Sequence, residues 1–558
     1  MKYIFLAIAV ILIGASLGTY MTMPQMQHDY PVVYWVTDNN AARRAQLRVF
    51  HDWLDSNRQQ QIIEALDEAG MAVNPDLSED ELEQMLDDLT PQQRQDIWPN
   101  FRVLIDAASH DRDKHVIQGV SGVAGDLMDV FTSSGDLAYY REIGMLADVT
   151  EQAEELGFSY AQTYEAIQPE INLRIFEPDG SISHQQLGFP ANVTVNNLLW
   201  VNADTFRAYG LEPPSGDWTI EEFEEKGRKF VEAANPPGRR RAFFFADDVQ
   251  VKSLYRSMGL DTFNETMTRC TLDDERYLDA LRLKHKWIHE DRILPTAGER
   301  QGFEAEGSHF GEALTLFRQG NYAMIIGGRY FLVQFREWEP IDMRIAEPPH
   351  AGFRNASIGA RVVATYSGGN RRDLTGHLVA FMASEAYNRT VVDDGDALPG
   401  NPEFVSGEEH REGFRYPEGY SHEWEKDDDG EEVFSVSGAF GDAAENIAIG
   451  VAHSPFINQR RVDSIINRHE TRVMNNEITA EEAAERVTTE INREMERSRR
   501  EIPHLREIYR NLREDQEQIE RLREAGEPVP VDLLHNPFHR RYYIEQGWAE
   551  KPADSEQE

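Results

Sequence analysis

Cysteine and basic residues are both scarce in this 558-residue sequence. The single cysteine, Cys270, excludes an internal disulfide bond and a zinc site built from several thiolates. Lysine and arginine number 56 against 98 aspartates and glutamates, and the formal net charge is −42. A field of this sign repels phosphates, so we expect no nucleic-acid partner. Such an acidic surface suits either a saline habitat or ordinary solvation.

The sequence also lacks the short motifs that mark many catalytic and cofactor sites. It has no H-E-x-x-H and no G-x-S-x-G, and its seventeen histidines are scattered. The glycines of the segment 119–134 are not spaced for phosphate, and the aspartates of the loop 421–432 lack the calcium-loop pattern. We therefore expect no cofactor, no metal and no enzymatic activity. A polysaccharide-acting enzyme stays an alternative, because 98 acidic residues supply carboxylate pairs by chance.

The N-terminal segment, residues 1–24, carries an uncharged apolar run from Tyr3 to Met23 behind Met1 and Lys2. This shape is typical of an export signal, and about 20 apolar residues also suffice for one membrane anchor. Either interpretation predicts that the folded body lies outside the cytoplasmic membrane, in the periplasm or at the extracellular face. No later segment is apolar enough for a second span, which disfavours a tethered ligand sensor.

The body of the sequence alternates buried strands with amphipathic helices. The apolar run 31–37 is typical of a strand in a parallel sheet, and a helix is predicted over 41–54. This unit places Trp35, Thr37 and Asp38 at the carboxyl end of a strand, where open α/β sheets bind ligands. The acidic residues 59–100 then interrupt the pattern and are predicted to be a helical insertion.

Two later stretches are more specific. The first, 187–223, predicts an extended segment over 188–202 that leaves one packed body for another, then a short helix and a capping box of Thr219 with Glu222. The second, 313–331, predicts a helix, a turn and a strand that ends in glycines and an aromatic residue.

These stretches and their order resemble the extracellular solute-binding proteins of ABC importers, in the carbohydrate branch that includes maltose-binding proteins. The resemblance covers about 31–495 and implies a type II two-lobed α/β fold, with interleaved lobes joined by a hinge. The implied organisation is 1–24 signal peptide or N-terminal anchor, 31–193 first part of lobe 1 with the insertion 59–100, 194–355 first part of lobe 2, 356–399 second part of lobe 1, 400–496 second part of lobe 2, and 497–558 helical extension and acidic tail.

The resemblance further implies a monomer that captures a sugar or polyol between its lobes and delivers it to ABC permease subunits. Many family members are lipoproteins attached through a cysteine behind the signal. None follows here, so an uncleaved helix is the expected tether. The strand end 328–330 delivers the implied aromatic platform, Tyr330.

The candidate site combines aromatic faces for sugar C–H groups with planar polar groups for hydroxyls. Trp35 and Tyr330 are the candidate platforms, although either ring also fits a core position. Arg329 suits sugar hydroxyls or a ligand carboxylate equally well. The candidate ligand-binding residues are Trp35, Asp38, Asn39, Ser133, Asn192, Gly328, Arg329, Tyr330 and Arg361.

Overall fold

The computed structural model describes residues 30–71, 79–94, 96–107, 112–122, 124–176, 181–214, 216–236, 242–245, 250–303, 311–336, 338–422, 424–427 and 429–549. They belong to two compact units, one with Leu54–Leu104 and the chain up to Tyr34, the other with Trp35–Trp53 and the chain from Ile105 onward. The predicted signal or anchor at 1–24 lies outside the described residues. Within the described ranges, no helix combines the length and the apolar character that a membrane crossing requires.

The described residues contain eleven strands and twenty-two α-helices. The strands are β1 Val32–Val36, β2 Arg102–Asp106, β3 Leu127–Phe131, β4 Asn172–Phe176, β5 Ile182–Gln186, β6 Gly188–Val195, β7 Leu199–Asn202, β8 Met324–Ile326, β9 Met343–Ala346, β10 Ala356–Thr365 and β11 Ala448–Ile449. The helices are α1 Ala41–Glu68, α2 Glu79–Met85, α3 Arg112–Val120, α4 Asp136–Glu142, α5 Thr150–Leu156, α6 Gln168–Ile171, α7 Ala203–Ala208, α8 Ile220–Ala234, α9 Val251–Ser257, α10 Glu275–His289, α11 Ala297–Phe303, α12 Gly311–Arg318, α13 Phe331–Phe335, α14 Arg372–Ala383, α15 Glu385–Asp393, α16 Glu403–Ser406, α17 Arg411–Arg415, α18 Val436–Asn446, α19 Gln459–Met474, α20 Ala480–Glu501, α21 His504–Ala525 and α22 Pro537–Glu545.

The smaller unit is helical, as predicted for 59–100. The first helix does not end at the predicted Leu54 but continues to Glu68, because no glycine or proline interrupts it before Gly70. Its C-terminal half packs Ile62 and Leu66 against Leu82, which gives the insertion a hydrophobic core of its own.

In the larger unit, the first sheet runs β11, β10, β3, β1, and β6 also pairs with β10. Strand β1 is parallel to β3, whereas β10 is antiparallel to both β3 and β6. Residues before 135 and after 356 therefore share one sheet, which the interleaved fold requires. A second, antiparallel sheet has β7 between β8 and β9.

The chain leaves the first sheet at the end of β6 and enters the second sheet at β7 after three intervening residues, which confirms the predicted extended crossing. It returns between β9 and β10. Each sheet carries helices, so the larger unit has the predicted two-lobed α/β architecture; the first lobe holds the first sheet and the second lobe holds the second sheet.

Local signals in the sequence place several helix ends correctly. The capping boxes of Thr219 with Glu222 and of Thr479 with Glu482 both form. Gly320 takes a φ of 74° at the turn before β8, a left-handed value that favours glycine. Asp274 caps α10, since its side chain accepts the backbone N–H of Arg276.

The C-terminal extension docks on the body of the protein. Leu505, Ile508 and Leu512 of α21 belong to the same hydrophobic core as the second sheet. Phe538 of α22 packs with Phe353, which lies between β9 and β10, and with Ile449 at the end of β11. The apolar residues of the extension are therefore buried against the rest of the larger unit.

Candidate ligand-binding site

Three strands of the first sheet bring Phe131, Asn192 and Arg361 side by side. Arg361 of β10 lies opposite Asn192 of β6 on one side and opposite Phe131 of β3 on the other. Directly opposed residues of antiparallel strands point to the same face of the sheet. One pair further along β10, Gly359 lies opposite Thr194 on that same face. These positions adjoin the crossing to the second sheet.

Two glycines, Gly359 and Gly328, allow neighbouring segments to approach this face closely. A Cβ atom on Gly359 would lie 2.9 Å from Cβ of Ser133, so Ser133 covers the position that a side chain would take. A Cβ atom on Gly328 would lie 2.6 Å from Cγ2 of Thr194, so glycine allows the end of β8 to approach β6. We call Phe131, Ser133, Asn192, Thr194, Gly359 and Arg361 the hinge face.

The hinge face mixes exposed and buried groups. Ser133 is exposed, Thr194 is half-buried, and the ring of Phe131 is 39% exposed although Phe131 ends a buried strand. Asn192 and Arg361 are buried below them. The surface that faces solvent is thus an aromatic ring beside two hydroxyl groups.

A buried hydrogen-bond network holds Arg361 in place on the same face of the sheet. The Asp129 carboxylate accepts bonds from Trp35 Nε1 at 2.8 Å, Thr37 Oγ1 at 2.5 Å and Arg361 Nη1 at 3.0 Å. Burial lowers the pKa of Arg361, but Asp129 and the neighbouring acidic groups outweigh it and raise that pKa above its ordinary value. Trp35 is 0% exposed. The structure therefore corrects the proposed platform role of Trp35, whose ring is a core element that positions Asp129.

A second buried arginine, Arg43 of α1, lies close to this network. Burial and then the Arg361 charge lower the pKa of Arg43, while Tyr387, Asp129 and Asp396 act in the opposite direction. Arg43 Nη1 donates to Gln46 Oε1 at 2.5 Å.

Several donors of this cluster lack a partner among the residues that the structure describes. They are Nε of Arg43, Nε and Nη2 of Arg361, Nε2 of Gln46 and the hydroxyl group of Tyr387. Buried donors without partners are uncommon in native proteins and are usually satisfied by water or a ligand.

Arg329 occupies a different, closed environment and is 1% exposed. Its Nη1 donates to the carbonyl oxygens of Asp396 at 2.9 Å and Ala397 at 3.2 Å, and its guanidinium lies 4.5 Å from the ring centroid of Phe414. Burial lowers its pKa to about 10. The predicted contact of Arg329 with a ligand is therefore corrected to a structural link between β8 and the segment 392–397.

The other predicted residues are distributed as follows. Tyr330 is half-buried, with its ring 5.1 Å from that of Phe331. Asp38 is half-buried after β1 and contributes to the field at Arg361. Asn39 is exposed and accepts a 2.8 Å bond from Arg44. The hinge face thus unites Ser133, Asn192 and Arg361, and Gly328 lies against it.

Sequence reasoning missed Phe131, Thr194 and Gly359. The two-residue period of β3 could have placed Phe131 on the same face as Asp129. Tyr387 carried no such signal, because only the fold brings α15 to Arg361.

In the described part of the chain, no group of three or more His, Cys, Asp or Glu side chains is arranged to hold a metal ion.

Comparison with known proteins agrees with this architecture. Residues 118–389 match the family model described as bacterial extracellular solute-binding protein. This matched stretch of the two-lobed fold is therefore similar to bacterial extracellular solute-binding proteins. No curated relative matches the chain.

Solved structures of low sequence identity share the fold. One is the ABC substrate-binding protein Lmo0181 from Listeria monocytogenes in complex with cycloalternan, with a TM-score of 0.59 and 16% identity over 84% of this chain and 99% of that one. Another is the GacH receptor of Streptomyces glaucescens, solved without ligand and with acarbose, with a TM-score of 0.57 and 14% identity over 84% and 99%. A third is maltose-bound MalE3 of T. maritima, with a TM-score of 0.55 and 14% identity over 82% and 98%.

Proposed function

We propose that this protein captures a carbohydrate or polyol between its two lobes and delivers it to the permease of an ABC importer. The hinge face carries the proposal, because it offers an exposed aromatic ring beside two hydroxyl groups at the junction of the lobes. The structural neighbours that bind cycloalternan, acarbose and maltose support the same class of ligand. Export through residues 1–24, as signal or anchor, belongs to this proposal.

The chemistry of the hinge face suits a sugar ring. The Phe131 ring offers an apolar surface to the C–H face of a pyranose, a contact worth about 0.5–1.5 kcal/mol beyond area burial. The hydroxyl groups of Ser133 and Thr194 can donate or accept, and the amide of Asn192 can do both at once.

The proposal is tested by calorimetry of the folded protein against neutral mono- and oligosaccharides and polyols. Saturable binding without any chemical change in the sugar would support it. Chromatography of the same mixtures after long incubation separates capture from catalysis. Hydrolysis of a glycan would show instead that the protein is a polysaccharide-acting enzyme. If none of the sugars or polyols binds, the proposed carbohydrate class of ligand is wrong.

Ligand should favour a closed arrangement of the lobes, because only closure brings groups from both lobes onto one solute. The lobes already touch where Arg460 of α19 pairs with Asp136 at the start of α4. We expect small-angle scattering to show a smaller radius of gyration at saturating ligand. An unchanged radius would indicate that the free protein is already closed, and the Asp136→Asn variant, which weakens this pair, should then restore a ligand-dependent change.

Replacing Phe131 with alanine is expected to weaken sugar binding by about 1–3 kcal/mol, roughly tenfold to a hundredfold, since the variant loses the exposed stacking surface. Stability should change little, because the ring is 39% exposed. Tyr209→Ala is the matched control, with a ring of 37% exposure away from the hinge face, and it should leave affinity unchanged. Equal affinities of wild type and Phe131→Ala would remove this ring from the site.

Tyr330→Ala tests the predicted platform at the end of β8. We expect a loss of affinity of about 1–3 kcal/mol with a nearly unchanged melting temperature, because the half-buried ring adjoins Gly328 and the hinge face. A core ring would instead cost about 3–5 kcal/mol of stability. A strongly lowered melting temperature with wild-type affinity in the folded fraction would place Tyr330 in the core.

A further inference from the structure

A cavity of about 240 Å³ lies between the segments 332–343 and 417–437. Five aromatic side chains line it: Phe335, Trp338, Tyr420, Trp424 and Phe434. Polar groups of Glu339, Ser421 and His422 also line the cavity. We call this cavity the side pocket.

The side pocket is separate from the hinge face. None of the hinge-face residues lines it. One of its two walls, 417–437, comes after residue 389, where the match to the solute-binding family model ends. The family match therefore does not explain why this wall carries tyrosine, tryptophan and phenylalanine.

The charges around the pocket disfavour a cationic ligand. Arg318 lies 5.3 Å from the ring centroid of Trp338, Arg336 lies 4.9 Å from that of Tyr420, and Arg344 lies 4.8 Å from that of Phe434. Three of the five rings thus already interact with a guanidinium group. A further cation would gain less from these rings and would meet like charges.

The charges also disfavour an anionic ligand. Glu339 and the buried Glu425 both line the pocket. His422 Nδ1 lies 3.2 Å from Glu425 Oε2, so its positive charge, when present, is already paired. The hydrogen bond with Glu425 raises the pKa of His422. Aromatic walls with balanced charges and hydroxyl groups fit a neutral ligand that has both C–H and O–H groups.

We propose that the side pocket is a second binding site, for one neutral sugar ring or a polyol of similar size. Sites for drug-sized ligands have volumes of about 300–1,000 Å³, so this smaller volume suits a single ring rather than an oligosaccharide. The aromatic walls bind the C–H faces, and Glu339, Ser421 and His422 bind the hydroxyl groups. This proposal does not depend on carbohydrate capture at the hinge face.

The probes are D-glucose, D-galactose and D-mannose, observed by saturation-transfer NMR with the full-length protein. At least one should show saturable transfer in the millimolar range. Ser421→Trp fills the pocket from an exposed position and should weaken that binding at least about tenfold through loss of the aromatic contacts. Val433→Trp adds the same indole to the same loop at a 62% exposed position outside the pocket, and it should bind as wild type does.

Trp424→Ala gives an independent check, because it removes one wall instead of filling the space, and circular dichroism verifies that both pocket variants fold. Phe131→Ala should leave this binding unchanged. If Phe131→Ala loses sugar binding while both pocket variants keep it, the sugar binds at the hinge face and the proposed site in the side pocket is wrong. If none of the three sugars shows saturation transfer, the proposed site in the side pocket is wrong. This result would not decide the proposal for the hinge face, which is also tested with oligosaccharides.

The charged relatives of glucose test the neutrality of the ligand. Glucosamine adds a cation and glucuronate adds an anion to the same ring. Each should bind at least about tenfold more weakly than the neutral sugar, because each places a charge beside a like-charged group of the pocket. Tighter binding of either one would overturn the assignment to a neutral ligand.

Discussion

Replacing Asp129 with asparagine is expected to lower the free energy of unfolding by about 3–5 kcal/mol, the usual cost of leaving a buried charge uncompensated. Its carboxylate is the ion-pair partner of Arg361, which is itself buried. The same carboxylate accepts bonds from Trp35 and Thr37, and an asparagine amide cannot accept at both of its terminal atoms. The variant therefore loses an ion pair and at least one further hydrogen bond.

Urea denaturation of the wild type and Asp129→Asn measures this loss. Glu385→Gln is the matched control, because Glu385 also pairs with an arginine, Arg389, but both side chains are mostly exposed. Its cost should stay below about 1 kcal/mol. The double variant Asp129→Asn with Arg361→Met should be more stable than Asp129→Asn alone, since it removes the orphaned charge. A double variant that is no more stable would contradict this explanation.

Glu170 should make the protein less stable as the pH rises from about 4.5 to about 7. Burial raises the pKa of this carboxyl group from 4.5 to about 7, against opposing effects of hydrogen bonds from Thr132 and from the backbone N–H of Val451 and of the Lys252 charge. Between these two pH values the folded state holds a proton that the unfolded state has released. Stability therefore falls with rising pH, by about 3 kcal/mol in all, at about 1.4 kcal/mol per pH unit.

Glu170→Gln should abolish this part of the pH dependence, because the amide stays neutral and its oxygen can still accept the N–H of Val451. Between pH 5 and pH 8, the free energy of unfolding of Glu170→Gln should rise relative to that of the wild type by about 2.5 kcal/mol, most of the total effect. Glu165→Gln, at an exposed position nearby, is the matched control for the loss of one carboxyl group. A difference between Glu170→Gln and wild type that is the same at both pH values would show that Glu170 is not protonated in the folded state at pH 5.

The sequence by itself determined the features that depend on neighbouring residues. The capping box of Thr219 with Glu222 and the glycine turn at Gly320 were predictable, because each needs only a few consecutive residues. The crossing from β6 to β7 followed from an extended apolar run. The order of these elements, through its family resemblance, was enough to predict two interleaved lobes.

The helix ends were predicted less well where the chain gave no stop signal. Helix α1 continues beyond the predicted Leu54 to Glu68, because its exposed residues are compatible with a helix and its apolar ones find a core. Propensity alone is a weak guide in such a segment, since packing in the tertiary structure decides where the helix ends.

Only the tertiary structure decided which polar and aromatic residues face solvent. Trp35 and Arg361 both looked suitable for a sugar site, yet Asp129, far from each in sequence, binds both and keeps the indole inside the core. Arg329 is closed off by carbonyl groups of the segment 392–397, which no local pattern relates to β8. The exposure of Phe131 and the aromatic walls of the side pocket are likewise decided by the packing of segments that are distant in sequence. Burial and pairing of a side chain depend on which distant segments pack against it, and that information is absent from any short stretch of sequence.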